Sequence, residues 1–516
     1  MRRSKFLSLT KRLISESDDI HTTRTNRAIA LMIGSTVNTL LSLLLSMAAA
    51  RVLTKIELAN NSQTFLVYTT FASFLTLGIP SGIYYHLVHN EHRKRAVVSE
   101  SILLTLGASL LFALFIIFGG NYLLANAFRN SQIAELLYWL IPYSLFMVPM
   151  NVITCVFVYE NRIRFNAVFS TVQTFVTLAV VIVSMLVFRT GKSMIVSRVI
   201  VSIAFVVVAS VILNHVLPKE ESSKLNLSSI KSLLYISIPL GLAYMTSILD
   251  RSLDKWIVSV LLSPETYAVF TQGARELPLI DTITGAISTV MLVDITKAAK
   301  DGDFPLAVAM FRKIAEKTSL ILLPTMMFFL VTASPVIRLL YTEAYAEAIP
   351  VFQVYLLYLP IRTVVFGPLL IALGKSKFIL IRSIIGLCLN ALLSILAVWL
   401  LGAVGAAIAT IFVIYLFDIP SNLYVISKAT GIKWINLLPF RRYGLCVFLS
   451  LPGVVLCIVV RLLFTASLAP LYALIIEAAI FTVSTGTMFV WRFHLPVKSY
   501  YESTIRYLRK LNKPNK

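Results

Sequence analysis

The chain is a succession of long apolar runs separated by short polar segments. Each run extends over about 20 residues or more, the length that an α-helix needs to cross the hydrocarbon core of a bilayer. The pattern therefore predicts an all-α polytopic membrane protein with about fourteen transmembrane helices rather than a β-barrel, whose short strands alternate apolar and polar residues. The predicted spans are 28–50, 62–88, 96–118, 133–158, 165–187, 193–216, 233–262, 266–296, 318–341, 346–373, 379–401, 404–427, 443–465 and 470–491.

A weak internal repeat organises these spans. A shift of 209 residues aligns Leu53, Thr54, Ala59 and Gln63 with Leu262, Ser263, Ala268 and Gln272. The shift equals six predicted helices, an even number, so it predicts two parallel six-helix lobes related by an axis along the membrane normal. The predicted regions are a basic cytoplasmic N-terminus (1–27), a first lobe (28–216), a cytoplasmic linker (217–232), a second lobe (233–427), two additional transmembrane helices (443–491) and a basic cytoplasmic tail (492–516).

Composition agrees with a membrane protein, because 58% of the residues are hydrophobic and only 14% are charged. The net charge of +22 does not indicate nucleic acid, since the basic residues lie in short loops between apolar runs. With the N-terminus inside, the cytoplasmic segments contain 34 of the 46 Lys and Arg residues. This bias predicts a multi-pass protein of the inner (cytoplasmic) cell membrane with both termini in the cytoplasm. The four cysteines lie in apolar helices without metal-ligand spacing, so the sequence predicts neither a metal site nor a cofactor.

Charged residues interrupt the apolar pattern in one stretch, residues 247–296, which is predicted to be a helical hairpin that turns at 263–265. Ionisable groups within a membrane are costly and usually line a functional cavity. We therefore predict that the cations of this hairpin bind substrate and that its carboxylates act as counter-charges or bind a coupling ion. The candidate cations are Arg251, Lys255 and Arg275, together with Arg362 of a later span, and the candidate acids are Asp250, Asp254, Glu276 and Asp281.

Spacing supports a cluster. Arg251 and Lys255 are four residues apart and share one helix face, and counting from the turn gives Lys255 and Arg275 similar depths. Arg offers a planar fork of donors that suits phosphate oxygens. The alternative is that the same charges form internal ion pairs that fix the hairpin and never contact cargo.

Four segments resemble the polysaccharide (O-antigen type) flippase family of the multidrug/oligosaccharidyl-lipid/polysaccharide exporter superfamily. They are Arg51-Val-Leu followed by Glu57, "LDRSLDKWIVSVLLSPETYAVFTQG" at 249–273, "ALGKSKF" at 372–378 and "GAVGAAIAT" at 402–410. The resemblance implies two lobes around a central cavity, alternating access, and a polyprenyl-diphosphate-linked glycan as cargo. It also implies contact with membrane lipids and with other polysaccharide-assembly proteins. The sequence departs from the pattern of this family in one respect. Its first predicted helix carries no charge between Arg27 and Arg51, and its second carries none along 62–88.

Two other functions remain open. A multidrug or cation exporter of the same superfamily would share the fold, although the first helix lacks an acidic residue for proton coupling. A membrane polymerase or ligase would need catalytic groups on sizeable loops. The longest predicted external loop, about 119–132, has no acid–base pair, so we predict a transporter and not an enzyme.

Overall fold

The computed structural model describes residues 24–217, 225–277, 280–465 and 468–493, and these residues contain helices and no strand. The predicted N-terminal segment 1–27, the linker 217–232 and the tail 492–516 lie wholly or partly outside this range. The helices are α1 (Arg24–Val52), α2 (Lys55–Leu75), α3 (Ile79–His89), α4 (Lys94–Phe115), α5 (Asn121–Ala127), α6 (Ile133–Leu137), α7 (Leu140–Tyr159), α8 (Ile163–Phe188), α9 (Gly191–Val216), α10 (Leu227–Leu261), α11 (Pro264–Gly273), α12 (Ile280–Lys300), α13 (Phe304–Tyr341), α14 (Ala348–Leu356), α15 (Leu359–Arg362), α16 (Phe366–Ala372), α17 (Ser376–Leu401), α18 (Ala403–Val413), α19 (Ile419–Thr430), α20 (Phe440–Val460) and α21 (Pro470–Phe493).

Twelve helical segments of the described residues are long and apolar enough to cross a membrane, and the apolar part of α1, Thr36–Val52, is shorter. The all-α membrane fold is therefore confirmed, whereas the count of fourteen spans is not. The prediction of one continuous helix over 266–296 is wrong. There α11 ends at Gly273, the backbone at 275–277 is irregular, and α12 begins at Ile280.

The chain divides into two compact units. The first contains the residues up to Thr289 together with Lys375–Ser421, and the second contains Val290–Gly374 together with the residues from Asn422 onward. The predicted lobe boundaries at 28–216 and 233–427 stay a prediction.

Within the first unit, the two turns that the repeat aligned are built alike. Thr54 precedes α2 and its hydroxyl accepts a hydrogen bond from the backbone N–H of Glu57. Ser263 precedes α11 and its hydroxyl accepts from the backbone N–H of Thr266. In both cases a hydroxyl residue caps a helix by satisfying the third helical N–H, which has no partner within the helix.

The aligned glutamines extend this correspondence, because each bonds a serine of the other repeat. Gln63 of α2 donates to the Ser259 hydroxyl of α10 at 2.8 Å. Gln272 of α11 accepts from the Ser46 hydroxyl of α1 at 2.7 Å. All four side chains are buried. Hydrogen bonds between polar side chains are a common means of joining helices within a bilayer. The first and second repeats are therefore joined by two reciprocal contacts.

The closest backbone approach in this unit lies where α3 begins. Gly78 has φ +69° and separates α2 from α3. A Cβ atom at Gly78 would lie 2.1 Å from the Ser237 carbonyl oxygen and 2.4 Å from the Gly241 backbone nitrogen, both on α10. Only glycine adopts this backbone conformation without strain and leaves room for the neighbouring helix. The break between α2 and α3 thus allows α10 to pack directly against backbone.

A buried carboxylate fixes the start of α10. Glu100 of α4 is fully buried and accepts hydrogen bonds from the backbone N–H of Asn226 at 2.9 Å and from the Ser229 hydroxyl at 2.6 Å. Arg93 lies 3.3 Å from the same carboxylate and supplies the opposite charge. A buried carboxylate is stable only when it is paired and hydrogen-bonded. Glu100 therefore holds the first turn of α10 against α4.

The second unit contains an ion pair that the sequence did not predict. The Arg461 guanidinium contacts the fully buried carboxylate of Glu477 on α21, with an Nε–Oε1 distance of 2.9 Å. It also donates to the Val331 carbonyl oxygen of α13. Removing one partner of a buried pair strands the other charge. The pair therefore connects α13, α20 and α21.

Candidate functional site

The charged residues on α10 differ in their surroundings. Asp254 is buried, with 5% of its surface exposed, and its carboxylate accepts the backbone N–H of Lys255 at 2.7 Å. Lys255 is partly buried, while Asp250 and Arg251 are exposed. The positive charge of Lys255 acts on Asp254, so the charges of these two side chains compensate each other within the helix. The Arg251 side chain is thus the most accessible cation of this arm.

The other predicted cation, Arg275, does not lie on a helix. Arg275 is partly buried and Glu276 is exposed, and both occupy the irregular stretch that follows α11. The prediction that they lie on a helical arm is therefore wrong. Irregular backbone at membrane depth is tolerated only where it is buried in protein or lines a water-filled cavity, because its polar groups need partners. This environment suits a polar ligand better than a lipid-facing helix surface would.

A further arginine, Arg198 of α9, lies in an aromatic pocket within the first unit. Its guanidinium carbon is 4.3 Å from the centroid of the Phe65 ring. Phe65 contacts Tyr143 edge to face at 5.5 Å, and Tyr143 contacts Tyr68 at 4.6 Å. The Arg198 side chain therefore packs on the Phe65 ring of α2, which in turn contacts Tyr143 of α7.

The positive charge of Arg275 acts on Arg198. Among the residues that the structure describes, neither arginine forms an ion pair with a carboxylate. Two like charges in a medium of low dielectric constant repel strongly, and an anion placed near both would relieve the repulsion. Arg198 belongs to the first predicted lobe (28–216), whose first two predicted helices carry no charge along 28–50 and 62–88. We call Arg198 and Arg275 the arginine pair.

Asp250 belongs to a second charged group. Arg382 of α17 forms an ion pair with Asp418 at 3.0 Å, and both charges act on Asp250. Asp418 lies in a short π-helical segment, Ile414–Asp418, between α18 and α19. Such segments often occur at functional sites. The carboxylate of Asp250 is therefore positioned beside an ion pair of the second repeat rather than against Arg275.

The two remaining candidates are separate cases. Arg362, in the second unit, ends the short helix α15, and its guanidinium lies 4.5 Å from the centroid of the Tyr358 ring. The structure divides its predicted span, 346–373, into α14, α15 and α16. Asp281 lies in α12, and its side chain is outside the described residues. In the part of the chain that the structure describes, no group of three His, Cys, Asp or Glu side chains is placed to hold a metal ion.

The fold is similar to the folds of several solved membrane transporters. It is similar to the lipid II flippase MurJ in an inward closed conformation, with TM-score 0.72 and 15% identity over 89% of this chain and 99% of that chain. It is also similar to an inward-facing multidrug resistance MATE family transporter of the MOP superfamily, with TM-score 0.57 and 16% identity over 78% and 98%. A MOP superfamily transporter from Pyrococcus furiosus gives TM-score 0.55 and 16% identity over 79% and 96%. At such low identities these similarities establish the fold alone.

The sequence itself establishes the family. Residues 29–350, more than half of the chain, match the model of the polysaccharide biosynthesis protein family. The chain belongs to that family, as the motifs at 249–273 and elsewhere indicated. No curated protein matches the sequence significantly.

Proposed function

We propose that this protein is a flippase that moves a polyprenyl-diphosphate-linked oligosaccharide across the cytoplasmic membrane by alternating access, for export of a cell-surface polysaccharide such as O-antigen. Membership of a polysaccharide biosynthesis family supports this class of cargo. The observation that carries the proposal is the arginine pair, because neither guanidinium group forms an ion pair with a carboxylate among the described residues and both can bind an anion.

The proposed site assigns a role to each charged candidate. Arg275 and Arg198 bind the diphosphate through charge-assisted hydrogen bonds, which are stronger than neutral ones. Arg251 and Lys255 are further cations that the moving diphosphate meets, and Arg362 of the second unit stays a separate candidate for binding it. The acids Asp250, Asp254, Glu276 and Asp281 act as counter-charges or bind the coupling ion. Membrane lipids and other polysaccharide-assembly proteins are the expected partners.

The proposed orientation can be tested by reporter fusions. Loop charge places both termini in the cytoplasm. Fusions after residues 90, 160, 225, 305, 376 and 435 are expected to report cytoplasm, and fusions after 58, 125, 190, 264 and 343 the outside. An exchange of sides in the middle of this series would contradict the six-plus-six repeat.

Reconstituted transport tests the cargo. We expect the purified protein in vesicles to translocate a fluorescent polyprenyl-diphosphate disaccharide and not a small hydrophobic cation. The reason is electrostatic, because a positively charged site in a low-dielectric medium attracts an anion and repels a cation. A vesicle preparation without protein and a sugar-free polyprenyl monophosphate are the controls. Transport of the cation alone would support the exporter of the same superfamily instead.

A further inference from the structure

A cavity in the first unit lies between α1 and α8, the two helices that come together at Gly34 and Ala167. Its volume is about 440 Å³. This value lies within the ~300–1,000 Å³ range of small-molecule pockets. The polar residues that line it are Asn38, Thr39, Ser42, Asn166 and Ser170. None of them is charged, so this cavity has a chemistry different from that of the arginine pair.

The polar residues that line the cavity lie on the sides of α1 and α8 that border it. Leu40 on α1 and Val168 on α8, which turn away from it, are apolar and exposed by 42% and 53%. Within a bilayer such exposed apolar faces suit lipid, whereas amides and hydroxyls need hydrogen-bonding partners. The polar residues therefore serve the space between the helices.

Two amide groups in this cavity have unused hydrogen-bonding capacity. Among the described residues, the Oδ1 atoms of Asn38 and Asn166 are buried and accept no hydrogen bond. The Ser42 hydroxyl donates to the Asn38 backbone carbonyl at 2.9 Å, which leaves its own oxygen able to accept. A buried acceptor without a donor costs about 1–3 kcal/mol. A ligand with O–H or N–H groups would therefore satisfy the acceptors in this cavity.

We propose that this cavity binds the first sugars of the lipid-linked cargo through their hydroxyl and amide groups. The proposal rests on the proposed function. It adds to the diphosphate site a separate subsite that recognises the sugars of the cargo. A metal cation is excluded as the occupant, because the space is far larger than a dehydrated ion and its lining offers no negative charge. A charged headgroup would be equally unfavourable, since no opposite charge lines the cavity.

The test compares two probes that differ only in their sugar. Binding of polyprenyl diphosphate and of polyprenyl diphosphate bearing an N-acetylhexosamine disaccharide is measured with the full-length protein in detergent. We expect Asn38→Leu and Asn166→Leu each to weaken binding of the glycosylated probe roughly 3- to 10-fold, the effect of one lost hydrogen bond. Binding of the sugar-free probe should not change.

Two further variants keep the test independent of folding defects. Ser42 is exposed at the edge of the cavity, so Ser42→Phe fills the space from outside and should remove the preference for the glycosylated probe. Asn151→Leu is the matched control, because Asn151 donates only to carbonyls of its own helix. It should bind both probes like the wild type.

The outcomes separate this subsite from the diphosphate site. If all the cavity variants keep the wild-type preference for the glycosylated probe, the cavity holds only water and the proposal is overturned. Phosphatidylglycerol, which also offers hydroxyl groups, should not compete with the glycosylated probe; equal competition would identify a lipid site instead and would also overturn the proposal. Arg275→Ala should weaken binding of both probes equally. If it weakens binding of neither probe, the proposed diphosphate site is contradicted. The difference in binding between the two probes still tests the cavity in that case.

Discussion

Arg275→Ala is expected to reduce translocation of a lipid-linked glycan by roughly 10- to 100-fold, the loss of one or two hydrogen bonds to a charged group. The residue lies in irregular backbone, its positive charge acts on Arg198, and it forms no ion pair with a described carboxylate. Its removal therefore strands no buried acid and relieves a repulsion. Membrane abundance should remain normal, and vesicle transport is the measurement.

The conservative variant separates charge from geometry. Arg275→Lys keeps the positive charge but loses the planar fork, so it should retain partial activity. Arg338→Ala is the control, because Arg338 pairs with Glu343 at 2.9 Å where both side chains are largely exposed, and such pairs contribute little. If Arg275 were a structural partner of Asp250, Asp254 or Asp281, Arg275→Ala would lower the amount of protein and Asp254→Asn could restore it. A stable, fully active Arg275→Ala protein would contradict both views.

Gly78→Ala is expected to destabilise the protein by about 2–5 kcal/mol, from a strained backbone and from overpacking. The added Cβ would meet the Ser237 carbonyl and the Gly241 nitrogen, which are backbone atoms and cannot rotate away. We expect a lower unfolding temperature in detergent and less protein in the membrane. Gly241→Ala should act in the same direction, because its Cβ would lie 2.7 Å from the Gly78 nitrogen.

Two other glycines distinguish strain from crowding. Gly119 has φ +107° with no atom near its Cβ position, so Gly119→Ala measures the conformational cost alone. Gly107 lies within α4 with open space around it, and Gly107→Ala should be neutral or slightly stabilising, since Ala favours helix. If Gly78→Ala unfolded at the same temperature as Gly119→Ala, the close approach to α10 would not contribute to stability.

Apolar length was sufficient to predict the membrane class, because few structures other than helices can bury their backbone in lipid. The repeat also located two equivalent turns, since capping depends on local sequence, and Thr54 and Ser263 cap helices as aligned residues should. Local chemistry of this kind can be predicted from the sequence without knowledge of the tertiary structure.

The interruption after α11 was missed although a signal existed. Gly273 ends the helix and Pro278 follows five residues later in the sequence, and this pair marks a helix end and a restart. The apolar residues continue to 296, and a proline within an apolar run is equally compatible with a kinked but continuous helix. In an apolar environment the hydrophobic pattern does not distinguish a continuous helix from a broken one.

The environments of Arg198 and Glu477 could not be predicted from local sequence. Arg198 stacks on a ring of α2, which lies more than a hundred residues away, and Glu477 pairs with an arginine of the preceding helix. Such contacts depend on which helix faces pack together. A charge near the end of a predicted span has the same appearance in the sequence whether it reaches the interface or turns inward.

The long helix α10 has a mechanical consequence. Its 35 residues extend over ~52 Å, and it is held near its start by Glu100, near its end by Gln63 and between them by Gly78. Pro239, which removes a helical hydrogen bond, lies two residues from the Gly241 contact. The contact between Gly78 and Gly241 is therefore a pivot point about which α10 can tilt. A tilt of α10 about this point would displace both of its ends at once, in opposite directions.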